Sequence, residues 1–344
     1  MVINRFIIKT KIIRLTYLSS FLLLILLVLP YFLIADNVEY YKEVLIYGTD
    51  SDIVDAFSNI RKNLGDEVNK LVLKLFNEEH DIKVFKAAIN YIKINKIKNA
   101  KSILLKELER KPVNDDYRED IIVALAEIHA KESLNKLIEI YNTENISSRI
   151  KLDIVDAFGK LGDSNSKIEN ILKNIAEDKK NEADIRAHAI LSLGELKSKS
   201  SVGIIRKLLF DRYENEIIRM YSAFSLEQIE GEAAIDDLSK LIYDKNHKVA
   251  EYAAKALSDI NSPEAGDILM KALRSDYDTV RYYAILGLKK LKYKKAYKIL
   301  KFKSEYDSNP KVKQLAKITL EEFDLESTSD TDTKDLKSKD KKEE

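Results

Sequence analysis

The stretch Val280-Arg-Tyr-Tyr-Ala-Ile-Leu-Gly-Leu-Lys-Lys-Leu291 decides the fold. Val280, Ala284, Leu288 and Leu291 stand at offsets 0, 4, 8 and 11. At about 100° per residue these four positions fall within roughly 80° of arc, which is one buried face of a helix. The phrase recurs. It starts at Val84, Tyr117, Ile150, Ile185, Ile218, Val249, Val280 and Val312, with a degenerate copy at Asp52, and successive starts lie 31 to 35 residues apart. A period of this length is the signature of a stacked repeat.

Each column has a physical reason. At offset 4 stand Ala56, Ala88, Ile121, Ile154, Ala189, Ser222, Ala253, Ala284 and Ala316, mostly small, as two closely crossing helices require. At offset 8 stand Ile60, Ile92, Leu125, Phe158, Leu193, Leu226, Leu257, Leu288 and Leu320, all apolar. Three residues before each start come Thr49, Asp81, Asn114, Ser147, Glu182, Asn215, Asn246, Tyr277 and Asn309. All but Glu182 and Tyr277 are residues that accept a bond from a free backbone N–H and so cap the next helix. Pro310 follows Asn309 at the first helical position, where a missing N–H costs nothing.

Shorter apolar stretches lie between the phrases, such as Ile103-Leu-Leu-Lys-Glu-Leu108, Leu134-Asn-Lys-Leu-Ile138 and Ile268-Leu-Met-Lys-Ala-Leu273. They read as the partner helix of each pair. A helical hairpin of this size cannot bury its own faces, so it must stack on its neighbours. The expected fold is therefore all-α, an α-solenoid of about eight helical hairpins over residues 36–324.

The phrases at Val280 and at Ile185-Arg-Ala-His-Ala-Ile-Leu-Ser-Leu-Gly-Glu-Leu196 resemble the second helix of HEAT repeats. They are most similar to the short, roughly 30-residue kind also found in phycobilisome-lyase-type proteins. Copies one and two depart from the pattern with Asn63 and Asn95 at offset 11, which suits a less regular, capping end. Tetratricopeptide and ankyrin patterns fit worse: the chain has no Trp, and Thr-Pro-Leu-His never occurs.

Composition agrees with helices. Only 9 Gly and 4 Pro interrupt 344 residues, too few for a sandwich or barrel. The net charge of +1 leaves the repeat body without the basic excess that nucleic-acid binding requires, so no nucleic-acid partner is expected. Cysteine is absent, which removes disulfides, thiolate metal sites and cysteine nucleophiles.

The first 35 residues form a separate segment. Arg5, Lys9, Lys11 and Arg14 precede an uncharged run from Leu15 to Ala35 that includes Phe21-Leu-Leu-Leu-Ile-Leu-Leu-Val-Leu29. As a helix such a run spans roughly 30 Å, the thickness of a bilayer core. Basic residues ahead of it hold the N-terminus in the cytoplasm, so the repeats are expected outside it, in a periplasmic setting. Pro30 and Ala35 suit a cleaved signal peptide, whereas Leu33 and the length of the run suit a retained membrane anchor. Both readings stand. At the other end, residues 325–344 are almost entirely polar and are expected to be a disordered charged tail.

The sequence offers no catalytic constellation. His80, His129, His188 and His247 lie far apart and at different places in their repeats, without metal-ligand spacing. Some helical-repeat enzymes bind iron through His-Glu dipeptides, and none occurs here. No cofactor, metal or catalytic residue is expected.

Two columns invite a functional reading. At offset 3 come His188, Tyr221, Tyr252 and Tyr283 in four consecutive repeats, with Met220 and Tyr282 beside them at offset 2. Offset 3 points just outside the buried arc, and in HEAT-like stacks this helix lines the concave side. Tyrosine gives large contact area with a polar tip, so the column is a candidate partner-binding face. The competing reading is that the rings fill gaps between repeats. At offset 1, Arg118, Lys151, Arg186, Arg219, Arg281 and Lys313 form a basic column. The resemblance implies that these residues pair with acids of adjacent repeats. The expected role is a non-enzymatic scaffold or adaptor binding another protein. The alternatives are an enzyme subunit like the lyase-type relatives and a mechanical envelope spacer.

Overall fold

The structure is a computed structural model that describes residues 38–60, 62–110, 114–163 and 167–339, with side chains to residue 325. The apolar run 15–35 lies outside the described residues. Among the described residues no helix is long and apolar enough to cross a membrane.

The chain forms two compact units that divide between Ser133 and Leu134. The first contains α1 (Val38–Tyr47), α2 (Asp50–Asn59), α3 (Asp66–Lys74), α4 (Ile82–Asn95), α5 (Lys101–Glu109) and α6 (Asp115–Glu127). The second contains α7 (Leu134–Tyr141), α8 (Ser148–Leu161), α9 (Lys167–Glu177), α10 (Ala183–Glu195), α11 (Val202–Phe210) and α12 (Glu216–Glu230). It continues with α13 (Ile235–Leu241), α14 (His247–Asp259), α15 (Pro263–Ala272), α16 (Asp278–Lys290), α17 (Tyr297–Tyr306) and α18 (Pro310–Lys339). No strand occurs among the described residues. Each unit is a stack of helical hairpins, the arrangement of an α-solenoid. In the second unit the phrase helices α8, α10, α12, α14, α16 and α18 each pack on the next, and each short helix packs on the phrase helix that follows it.

Local chemistry sets these boundaries. Thr49, Asp81, Asn114, Ser147, Asn215, Asn246 and Asn309 all accept a backbone N–H from the first turn of the following helix. Glu182 and Tyr277 occupy the same position without a capping bond. Every offset-4 residue is buried, and so is every offset-8 residue from Ile92 to Leu288. Ile60 falls just past the end of α2, and Leu320 is half-buried.

The helix ends repeat as well. Lys96, His129, Lys197 and Lys292 share offset 12 and take left-handed φ values of 51°, 56°, 51° and 49°. The next N–H in each copy reaches back to the offset-8 carbonyl: Ile97 to Ile92, Ala130 to Leu125, Ser198 to Leu193 and Tyr293 to Leu288, at 2.9–3.1 Å. This is the 6→1 bond of the Schellman motif, which satisfies carbonyls the helix leaves free. His129 is thus a turn residue.

Neighbouring phrase helices approach closely through glycine and serine. A Cβ on Gly159 would lie 2.8 Å from Ser192 Oγ, and one on Gly194 would lie 2.8 Å from Ser225 Oγ. Ser192 Oγ donates to the Val155 carbonyl and Ser225 Oγ to the Ile190 carbonyl, both at 2.9 Å. Each hydroxyl is therefore satisfied by the helix it touches, which removes the cost of burying it.

The irregular first copy has a polar explanation. Asn69 Nδ2 donates to Asn63 Oδ1 at 3.2 Å, Tyr91 Oη donates to Asn69 Oδ1 at 2.9 Å, and Leu64 N donates to Tyr91 Oη at 3.2 Å. A small hydrogen-bonded network replaces the apolar contact expected at offset 11. At the far end, α18 continues to Lys339, through most of the segment for which composition predicts disorder.

Candidate functional site

In α8, α10, α12, α14 and α16 offsets 0, 4, 5, 7 and 8 are buried, while offsets 3 and 6 are half-buried and face outward. His188 on α10, Met220 and Tyr221 on α12, Tyr252 on α14, and Tyr282 and Tyr283 on α16 are all half-buried. The ring centroids of His188 and Tyr221 are 5.9 Å apart with the planes at 70°. Those of Tyr221 and Tyr252 are 6.4 Å apart at 47°. These three rings form a continuous column. Tyr283 does not extend it, because its ring partner is Tyr282 of the same helix, at 5.7 Å and 88°. Each ring thus packs partly on a neighbour and presents its remaining surface to solvent.

A second column, at offset 6, completes the face: Asp156, Leu191, Phe224, Lys255 and Leu286, all half-buried. The Lys255 ammonium lies 5.6 Å from the Tyr252 centroid and 5.9 Å from that of Phe224, a cation held over two rings. His188 Nδ1 is 2.7 Å from Asp156 Oδ1. That hydrogen bond raises the His188 pKa above its ordinary value; burial opposes the shift, while the charges of Asp156, Asp184 and Asp153 add to it. Burial raises the phenol pKa of both Tyr221 and Tyr283. It raises the carboxyl pKa of Glu195 and Glu227 too, helped by the neighbouring charges of Asp156 and Asp259 respectively.

An open cleft of ≈ 620 Å³ lies against α14, α16 and the start of α18. Its lining includes Glu251, Asp278, Tyr282, Tyr283, Asn309 and Lys311. Glu251 is 3.3 Å from Lys248. Asp278 accepts hydrogen bonds from its neighbour Thr279 N and from Asn309 Nδ2.

The basic column plays a different part. Arg186 donates to both carboxylate oxygens of Glu214 at 3.0 and 2.8 Å and to the Ala176 carbonyl at 2.9 Å. Arg219 does the same to Asp244 and the Leu209 carbonyl, and Arg281 to Asp307 and the Ser275 carbonyl. All three arginines are buried, and each acid lies in the loop that enters the next phrase helix. They join successive repeats. Arg118 only approaches Asp115 of its own helix, and Lys151 lies over the Tyr141 ring.

Among the described residues no group of three or more His, Asp or Glu is placed to hold a metal ion. His80 binds Asp50 at 2.7 Å, and His247 stacks loosely with Tyr277 at 6.2 Å. The sequence reading missed Asp156, Phe224 and Lys255, which share offset 6 but no residue type.

The HEAT-repeat family description matches residues 168–253 and 238–321. A vitellogenin TPR-domain description matches residues 86–209, the other helical-hairpin repeat of similar length. No curated protein matches the chain. Among solved structures it is similar to YibA of Escherichia coli, with 22% identity and TM-score 0.45 over 65% of this chain and 84% of that one. It is similar to the CpcE–CpcF complex of phycocyanin lyase from Nostoc, with 12% identity and TM-score 0.44 over 74% and 94%. Human deoxyhypusine hydroxylase gives 13% identity and TM-score 0.33 over 75% and 96%. Likeness at this level says nothing of activity.

Proposed function

For a chain whose residues 168–321 are HEAT repeats, we propose a non-enzymatic role: a scaffold that binds another protein along the outward face of α10, α12, α14 and α16. The observation that supports this is the pair of adjoining columns on helices whose opposite sides form the core. Offset 3 supplies His188, Tyr221 and Tyr252, and offset 6 supplies Leu191, Phe224 and Lys255, all half-buried. Aromatic surface with scattered polar tips is the composition of protein interfaces, and stacked repeats offer it over a long span.

The reading places the repeats outside the cytoplasm, on the strength of the basic residues ahead of the apolar run 15–35. Protease added to cells with a permeabilised outer layer then degrades the repeats. Protection until the cytoplasmic membrane is lysed reverses the orientation.

The partner is found by placing a photocrosslinking residue at Met220, with a second at exposed Tyr213 as control. The face is supported when one protein crosslinks through position 220 and not 213, and then binds the purified chain. Equal labelling from both positions removes the case for a specific face.

A further inference from the structure

Resting on that reading of the face, we propose that the cleft against α14, α16 and α18 takes an arginine side chain of the bound protein. Its chemistry is specific. The rings of Tyr282 and Tyr283 stand at 88° with centroids 5.7 Å apart, so two π surfaces meet in a corner. A planar cation sits favourably on such faces, because the ring quadrupole is negative there. Two carboxylates, Glu251 and Asp278, line the same ≈ 620 Å³ cleft. The bonds to Asp278 come from a backbone N–H and a neutral amide, and among the described residues no salt bridge closes on it. The arrangement suits a guanidinium, which stacks on rings and donates in a planar fork to carboxylates.

The charges around the cleft fit this assignment. Lys311, exposed at the rim, is the one cation in its lining among the described residues. Lys248 reaches Glu251 at 3.3 Å from one turn away on the same chain, where its side chain is 44% exposed and free to be displaced. Further up the face, Asp153, Asp156 and Asp184 surround His188, and Glu227 lies near Asp259. The face already holds one cation in the proposed manner, Lys255 over Tyr252 and Phe224.

The test uses the full-length chain in detergent, labelled with 3-fluorotyrosine, with the signals of residues 282 and 283 assigned through Tyr282→Phe and Tyr283→Phe. The probe is N-acetyl-arginine methylamide, and the control is its neutral isostere, N-acetyl-citrulline methylamide. The proposal predicts saturable shifts at positions 282 and 283 with Kd on the order of 10 mM. Citrulline should bind at least about fivefold more weakly, and Glu251→Gln should weaken arginine binding about threefold or more. Equal responses to arginine and citrulline, shifts confined to other tyrosines, or tighter binding of tetramethylammonium would each overturn it. If arginine fails while Tyr221→Ala/Tyr252→Ala still loses the partner, the arginine assignment falls and the face survives. If arginine binds but that double variant keeps its partner, the face falls, and with it the partner protein as the source of the arginine.

Discussion

Arg281 and Asp307 are joined by a planar fork, Nε to Oδ2 and Nη2 to Oδ1, both at 2.8 Å, with side chains only 7% and 1% exposed. Burial pushes the Asp307 carboxyl up, but the bonds from Arg281, the Asn309 backbone and Lys303 together outweigh it, leaving a pKa of about 2 against an ordinary 3.8. Because the folded pKa is depressed, the stability contribution is present above pH 3.8 and disappears as pH falls towards about 2. For a shift of this size it is worth about 2 kcal/mol. Acid denaturation of Asp307→Asn should lose this part of the pH slope. Arg281→Ala leaves Asp307 buried with the Asn309 backbone N–H and Lys303 and should cost about 3 kcal/mol in denaturant melts. Arg281→Lys should rescue little, since an ammonium cannot make the fork. A loss below about 1 kcal/mol for Arg281→Ala would show that the inter-repeat ladder carries no stability.

The left-handed turn predicts a gain. Lys197 has φ 51° and closes a Schellman motif, a position where glycine escapes the Cβ penalty. Lys197→Gly should raise stability by about 0.5–1 kcal/mol, less whatever the unfolded chain gains in entropy. Thermal melts of the single variant check it. A clear drop in Tm would show that the Lys197 side chain has a packing role.

His188 predicts a change near neutral pH. Its pKa is raised from 6.5, chiefly by the Asp156 hydrogen bond, and Asp153, Asp184 and Glu195 also face it. A raised histidine pKa means that the stabilisation is full below pH 6.5 and is lost as pH rises through the folded value. Titration of the imidazole protons by NMR should place His188 above 6.5, and Asp156→Asn should bring it down. An unchanged midpoint in Asp156→Asn would remove Asp156 as the cause.

The repeat was legible because its columns are chemically uniform. Offset 8 is apolar in every copy, seven of the nine cap positions carry a capping side chain, and both follow one period. Less regular features escaped. The turn residues at offset 12 are Lys and His, and nothing in their chemistry announces a left-handed φ. Glu214, Asp244 and Asp307 lie in loops at slightly different distances from their arginines, so the resemblance implied the pairing without identifying the acids. On the outward face, offset 3 was visible because His188 and three tyrosines share it. Offset 6 was not, since Asp156, Leu191, Phe224, Lys255 and Leu286 share a direction but no residue type. The break of the ring column after Tyr252 is likewise a matter of side-chain direction, which periodicity does not specify.

The claim that this face binds protein is tested most directly by Tyr221→Ala combined with Tyr252→Ala. Affinity for the protein crosslinked through position 220 and the melting temperature are both measured on that double variant. The two rings touch at 6.4 Å and are half-buried, so a modest stability loss of about 1–2 kcal/mol is expected from packing alone. If they contact the partner, affinity falls at least about 30-fold, the loss of a typical hot spot of about 2 kcal/mol. A marked drop in melting temperature with undiminished affinity, at equal concentrations of folded protein, would contradict the account and leave the rings as spacers between repeats.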